Sequence, residues 1–107
     1  MNSSNSCDSL YTAAWVVTQN DARDIIEQAG YGRYFGHGLG HSLGLNIHES
    51  PRAAKTYHRE FVRGNIVTIE PGIYLPGKFG VRIEDVVIFG ENGCEDITKS
   101  PKNLIIV

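Results

Sequence analysis

Histidine is concentrated in one short, glycine-rich stretch of this chain. Three of its four histidines, His37, His41 and His48, fall within twelve residues, and five glycines lie between positions 32 and 44. Any one of these histidines alone would more often be an ordinary polar side chain of a loop or core. Glycine at this density, however, indicates a tightly shaped backbone. Because imidazole both binds metals and transfers protons near neutral pH, the stretch is a candidate metal-binding or catalytic loop.

Two glutamates stand where apolar strands are expected. Glu70 follows the run Ile-Val-Thr-Ile, and Glu84 lies inside the apolar run 81–88. Strand side chains alternate between faces, so Thr68 and Glu70 share one side, as do Arg82 and Glu84. A carboxylate on an inner face is costly unless it is paired or bound to a metal. Glu84 could instead pair with Arg82 or face solvent, and Glu70 could be a strand-end residue in water. As ligands, an imidazole and two carboxylates suit Mn²⁺, Zn²⁺, Co²⁺ or Fe²⁺.

A helical pattern precedes the histidine stretch. Small and apolar residues recur at steps of three and four from residue 11 to residue 29, which predicts a helix with one buried stripe. Asp8 or Ser9 could cap its start, and Gly30 is a suitable stop. Alternatively, Thr18 or Asn20 could cap a second, separate helix. The predicted stripe comprises Tyr11, Ala14, Trp15, Thr18, Ala22, Ile25, Ile26 and Ala29.

After the histidine stretch, short β-type runs alternate with turn signals. No helical pattern separates the later runs, so we expect the strands to pair in antiparallel fashion. The chain is therefore predicted to be an α+β protein, with an N-terminal helix packed on a mostly antiparallel sheet. The runs predicted as strands are residues 45–48, 65–70, 73–75, 81–89 and 104–107.

The chain has 107 residues, which fits one small domain. Its net charge of −2 provides no strong attraction to nucleic acid or to an anionic membrane. We expect residues 1–8 to be a disordered tail and residues 9–107 to form a single domain. Without a recognisable targeting segment, we expect the protein to be cytoplasmic. Cys7 and Cys94 lie far apart without metal-type spacing, so we expect two plain thiols.

Residues 37–49, HGLGHSLGLNIHE, resemble the signature that aminopeptidase P and prolidase share. These proline peptidases belong to the methionine-aminopeptidase-like, or pita-bread, superfamily of family M24 metallopeptidases. Residues 69–74 and 80–85 resemble the two glutamate motifs of that family, in the same order. Arg82 favours the proline-peptidase branch over methionine aminopeptidases. The resemblance covers residues 21–107 and implies half of a pita-bread fold.

The resemblance implies a site for two divalent metals, with Mn, Co or Zn as the candidates. His41 resembles the imidazole ligand of one metal. Glu70 resembles a carboxylate ligand of that same metal and also handles protons, whereas Glu84 resembles the carboxylate that bridges both metals. Two metals can share a hydroxide, lower its pKa and polarise the scissile carbonyl.

Further residues are implied to act on the substrate without binding metal. His37 and His48 resemble the histidines that line the substrate site and steady the tetrahedral intermediate. Arg82 resembles an outer residue that orients the site. Together with Glu70, these three residues are the predicted catalytic residues.

The family site also requires two aspartates from a β-hairpin upstream of these motifs. The only upstream aspartates here are Asp8, Asp21 and Asp24, and none lies in a strand pattern. The resemblance is therefore to the C-terminal half of a catalytic domain, and residues 9–107 are predicted to be a single truncated domain of catalytic type. We expect the parent protein to hydrolyse the bond before proline in peptides, and this chain alone to be inactive with weak or absent metal binding.

Two other functions remain open. The chain could be a non-catalytic remnant that associates with itself or with a partner, or it could belong to a family member with non-peptidase chemistry such as creatine hydrolysis. An apolar face around Val67, Ile69, Ile83 and Val87, together with an uncovered sheet edge, predicts a homo-oligomer or pairing with the missing half. We expect proline-containing peptides as the parent's substrates, and neither nucleic acid nor membrane as a partner.

Overall fold

The computed structural model describes residues 15–54 and 61–107. Helix α1 comes first and is followed by a short 3₁₀ turn and by seven strands in the described part of the chain. The elements are α1 Trp15–Gln28, the 3₁₀ turn Gly32–Tyr34, β1 Gly40–Ser42, β2 Glu49–Ala53, β3 Ile66–Ile69, β4 Gly72–Leu75, β5 Phe79–Arg82, β6 Asp85–Phe89 and β7 Cys94–Asp96.

The strands form two antiparallel sheets. Five strands pair in the order β2-β1-β3-β6-β7, and β4 pairs with β5 in a separate hairpin. At the centre of the larger sheet, Val67 of β3 lies opposite Val87 of β6. These sheets and the helix confirm the predicted α+β class and its mostly antiparallel pairing.

Three of the predicted strands are wrong in place or extent. Residues 45–48 form bends, because the Gly44 amide donates to the Asn46 carbonyl and the Asn46 amide donates to the Glu49 carboxylate, so local bonds replace a ladder. Residues 81–89 are split between β5 and β6, because the chain crosses from the hairpin to the larger sheet at Ile83. Residues 104–107 are exposed and form no strand.

The helix presents a partly polar face to the protein interior. Ala22 and Ile26 pack against the core as predicted, but Ile25 is 68% exposed, so its assignment to the buried stripe is wrong. Gln19 is instead buried at 2% exposure, because its side chain binds backbone of the loop before β1. Helix α1 is continuous through Thr18 and Asn20, so neither caps a separate helix.

The helix ends as the sequence predicts. Gly30 follows the last turn with φ +88°, a backbone conformation that glycine adopts without strain. The predicted caps Asp8 and Ser9, and the predicted tail at residues 1–8, lie outside the described residues. The prediction of residues 9–107 as one domain therefore stays a prediction.

The core consists of two small apolar clusters that share neighbours. One cluster is Val67, Val87 and Phe89, and the other is Phe35, Leu39 and Ala53. Phe61 and Ile69 pack against both clusters and join them. The predicted uncovered face is therefore wrong at Val67 and Val87, which are buried by the chain's own strands, whereas Ile83 is 48% exposed.

The prediction of plain thiols is wrong at Cys94, which is disulfide-bonded. Cysteine spacing in a sequence does not show whether a thiol is paired in the fold. Cys7 lies outside the described residues. Among the residues that the structure describes, no helix has the length and apolar character needed to cross a membrane.

Candidate metal and catalytic site

All of the predicted site residues except Glu84 line one open cavity of about 340 Å³. It lies beside β1, where the loop before β1, the residues at both ends of β2 and the ends of β3 and β5 come together. The residues that line it are His37, Gly38, Gly40, His41, His48, Arg52, Ala54, Glu70 and Arg82. The fold therefore brings four histidine and glutamate side chains of the sequence motifs, and Arg82, to one place.

His41 and Glu70 are in direct contact in the cavity. Their Nε2 and Oε1 atoms are 2.8 Å apart, and the side chains are only 15% and 13% exposed. Nδ1 of His41 lies 3.1 Å from the Ser42 carbonyl. Since a carbonyl can only accept, Nδ1 holds a proton there, and the Nε2 atom is directed at the carboxylate.

The backbone at Gly40 lies very close to the backbone of β3. A Cβ atom at this position would lie 1.7 Å from the Thr68 carbonyl oxygen, so only glycine fits. This approach lets the His41 amide donate to the Thr68 hydroxyl at 3.0 Å. The same hydroxyl donates to Oε1 of Glu70 at 2.8 Å. Thr68, which is 1% exposed, thus fixes the positions of His41 and Glu70 together.

Arg82 connects the two glutamates. Its Nε atom lies 3.4 Å from Glu84 and 3.8 Å from Glu70. The local pairing of Glu84 with Arg82 that the sequence left open is therefore present. A hydrogen bond to Tyr74 raises the pKa of the Arg82 guanidinium above its ordinary value, and electrostatic interactions with Tyr74 and Glu84 act in the same direction. Like any arginine, Arg82 is a cation over the working pH range.

The side chains at the cavity provide only part of the ligand set that a divalent metal ion needs. The His41 imidazole and the Glu70 carboxylate are close enough to bind one ion together, and the bond from Nδ1 to a backbone carbonyl is a usual support for a metal-binding histidine. Across residues 15–54 and 61–107, however, no three His, Cys, Asp or Glu side chains are grouped so that they could hold a metal ion. Glu84 reaches the pair only through Arg82.

The two remaining predicted histidines make different contacts at the cavity. The His48 ring packs edge-on against His41 with centroids 4.4 Å apart. His37 directs Nδ1 to the Gly38 carbonyl at 2.8 Å and Nε2 to the Tyr74 hydroxyl at 2.9 Å. Since Nδ1 faces an acceptor and holds the proton, Nε2 accepts from the Tyr74 hydroxyl.

Sequence reasoning missed Thr68, Tyr74 and Arg52 as site residues. One sequence feature could have indicated Thr68, because strand periodicity places it on the same face as Glu70. Tyr74 lies on β4 and contacts His37, and Arg52 lies on β2 opposite His41, so both depend on pairings between distant segments. No local pattern could have indicated either of them.

A family model for the M24 metallopeptidases matches residues 12–91. The chain belongs to metallopeptidase family M24. It is 50% identical over 84 residues to the Xaa-Pro dipeptidase of Pyrococcus furiosus, covering 78% of this chain and 24% of that protein. The uncharacterized peptidase YqhT of Bacillus subtilis is 52% identical over 85 residues, covering 79% of this chain and 24% of the relative. The chain thus spans about a quarter of the length of the curated relatives it matches.

Solved structures of the family have the same fold in this region. The Xaa-Pro dipeptidase from Bacillus anthracis superposes with a TM-score of 0.81 at 50% identity, covering 87% of this chain and 26% of that one. The X-Pro aminopeptidase from Thermotoga maritima gives 0.80 at 42% identity, covering 87% and 26%. These likenesses confirm the predicted resemblance to the proline peptidases of family M24. They also confirm the predicted pita-bread fold class.

Proposed function

We propose that this M24 chain carries the histidine and glutamate part of a dinuclear Xaa-Pro metallopeptidase, an aminopeptidase or dipeptidase that hydrolyses the bond before proline. The supporting observation is the His41–Glu70 pair, which lies 2.8 Å apart in a cavity that His37, His48 and Arg82 also line. Relatives named as Xaa-Pro dipeptidase and X-Pro aminopeptidase support this substrate class. We propose proline-containing peptides as the parent's substrates and the cytoplasm as its compartment.

His41, Glu70 and Glu84 are the proposed metal ligands, and Mn, Co or Zn are the candidate metals. When bound, the metals would polarise the scissile carbonyl and lower the pKa of the attacking water. His41 offers Nε2, because its Nδ1 is directed at the Ser42 carbonyl. Glu70 offers a carboxylate that the Thr68 hydroxyl holds in place.

The other residues act on the peptide. Glu70 takes up and releases protons at its carboxylate, which is available to a bound peptide because Glu70 lines the cavity. His48 stabilises the negative charge that develops on the carbonyl oxygen. His37, whose Nδ1 donates to the Gly38 carbonyl and whose Nε2 accepts from the Tyr74 hydroxyl, lines the substrate site in a fixed orientation. Arg82 stays cationic and orients both glutamates.

The isolated chain is proposed to be inactive. The upstream aspartates required by the family pattern have no counterpart in a strand of the described residues, and a second metal would lack much of its shell. Two adjacent dications with so little anionic compensation repel each other. One ion bound weakly by His41 and the glutamates is the expected state.

A second candidate function is a partner-binding remnant, which self-associates or pairs with the missing half. The observation that favours it is an apolar cavity of about 200 Å³ between α1 and the β4–β5 hairpin, lined by Ile26, Pro71, Gly72, Ile73, Val81 and Ile83. Val81 and Ile83 are 52% and 48% exposed. Apolar surface of this kind favours association.

A chimera tests the proposed parent function. Residues 15–107 would replace the matching segment of the Bacillus anthracis Xaa-Pro dipeptidase, and hydrolysis of Xaa-Pro peptides would be measured with added Mn²⁺, Co²⁺ or Zn²⁺. We expect turnover that His41→Ala abolishes and that Glu95→Gln, an exposed change on β7, leaves unchanged. A folded chimera without turnover, or one that is indifferent to His41, would argue against this function.

A further inference from the structure

Helix α1 directs two polar side chains at the loop that carries His37. Gln19 and Arg23 are one helical turn apart and therefore lie on the same face. Gln19 is 2% exposed. Long polar side chains are seldom buried without a specific partner, because burial costs them hydration. The partners here are backbone groups of residues 35–39.

Arg23 binds two carbonyls of this segment. Its two terminal nitrogens donate to the carbonyl oxygens of Phe35 at 2.8 Å and His37 at 3.0 Å. The guanidinium also stacks over the Phe35 ring, 4.3 Å from its centroid. Two parallel bonds from a planar fork fix direction as well as distance, which an ammonium group cannot reproduce.

Gln19 extends the same arrangement to Leu39. Its side-chain oxygen accepts from the Leu39 amide at 2.7 Å. The Leu39 carbonyl in turn accepts from the Glu70 amide at 2.6 Å. The helix face therefore binds alternate residues 35, 37 and 39 of the loop before β1, and that loop is bonded to the residue that follows β3, Glu70.

The fixed backbone determines where the His37 ring points. Phe35, at 1% exposure, packs edge-on against the His37 ring with centroids 5.4 Å apart. From this position Nε2 of His37 reaches the Tyr74 hydroxyl at 2.9 Å. Arg23 thus contacts both the carbonyl of His37 and the aromatic ring that supports its imidazole.

We propose that Arg23, assisted by Gln19, is a positioning residue that aligns His37 with Tyr74 at the cavity. The importance of this alignment for peptide hydrolysis rests on the proposed function, but the alignment itself does not. Misplacement of a reacting or charge-stabilising group by about 1 Å can cost roughly 100-fold in rate. Arg23 would act through His37 and would touch no substrate.

Nuclear magnetic resonance on the isotopically labelled chain tests the alignment without metal or substrate. In the wild-type protein we expect separate, slowly exchanging signals for the two terminal nitrogens of Arg23, and NOEs between the His37 and Tyr74 rings. In Arg23→Met we expect those ring NOEs to fall by at least about twofold, because loss of the fork removes the geometric restraint. NOEs between Val67 and Val87 report that the core is intact.

Arg33→Met is the matched control. Arg33 also stacks on an aromatic ring, 4.6 Å from the Tyr34 centroid, but it is exposed and bonds to the Tyr34 hydroxyl. This control should leave the His37–Tyr74 NOEs at wild-type intensity. If Arg23→Met fails to fold, Arg23→Lys is used to test the proposal. It keeps the positive charge but lacks the two-nitrogen guanidinium group, so it should still weaken the His37–Tyr74 ring NOEs.

Either of two results would overturn the proposal. One is averaged terminal nitrogen signals for Arg23 in the wild-type protein. The other is a folded Arg23 variant whose His37–Tyr74 NOEs equal those of the wild type. Neither result would touch the proposed peptidase function, which the chimera tests separately.

Discussion

Nε2 of His41 and Oε1 of Glu70 lie 2.8 Å apart, although the two residues belong to different segments of the larger sheet. Two features produce this contact. Gly40 allows β1 to approach the Thr68 carbonyl, and the Thr68 hydroxyl links the His41 amide to the Glu70 carboxylate. The pair is thus a property of how β1 and β3 meet, and it can be disturbed without touching either residue.

Replacing Thr68 with valine should destabilise the chain by about 1–3 kcal/mol, because the buried His41 amide loses its acceptor and Glu70 loses a donor. Thr68→Ser, which keeps the hydroxyl, should lose less. Thermal or urea unfolding measures the difference. Equal stability of the valine and wild-type proteins would contradict the role assigned to this hydroxyl.

Gly40→Ala should cost about 1–3 kcal/mol or more, because its Cβ would collide with backbone that cannot rotate away. Gly36→Ala is the control, since nothing lies within 4 Å of a Cβ built at that position. Urea unfolding of both variants provides the comparison. A Gly40→Ala protein as stable as Gly36→Ala would mean that the strands are farther apart than described.

Self-association should depend on the apolar cavity between α1 and the hairpin. Ile83→Lys should shift the chain toward the monomer at micromolar concentration, because a charge would have to be desolvated at the contact. Ile105→Lys alters an isoleucine that is 63% exposed near the C-terminus and serves as the control. Analytical ultracentrifugation distinguishes the species. A wild-type chain that stays monomeric at all concentrations would contradict this prediction.

The isolated chain should not hydrolyse Xaa-Pro peptides at a measurable rate with Mn²⁺, Co²⁺ or Zn²⁺, since the residues present complete only part of a two-metal shell. His41→Ala should give the same background. Metal-dependent turnover that disappears in His41→Ala would mean that association or another carboxylate, such as Asp85, completes the site.

The sequence motifs predicted many of the residues that line the cavity, but not the contacts that hold those residues in position. The resemblance to the proline-peptidase motifs was sufficient to predict that His41 and Glu70 lie together, whereas Glu84, expected to converge with them, contacts Arg82 outside the cavity lining. Tyr74 and Arg23 act through contacts across the fold, with His37 and with residues 35–37, and periodicity carries no information about such contacts. Residues 45–48 looked like a strand because local turn bonds at Gly44 and Asn46 are invisible to apolar patterning.

Metal titration of the isolated chain tests the proposed metal role of His41 and Glu70 most directly. Paramagnetic Mn²⁺ would be added to the labelled protein, and signal broadening would report both affinity and position. We expect weak, saturable binding with broadening centred on His41, Glu70 and Glu84. Affinity should fall at least about tenfold in His41→Ala and in Glu70→Gln, and it should persist in His48→Ala, which removes the neighbouring imidazole that is not a proposed ligand. Equal affinity in His41→Ala and the wild type, or broadening centred elsewhere, would contradict the proposed metal role of His41 and Glu70.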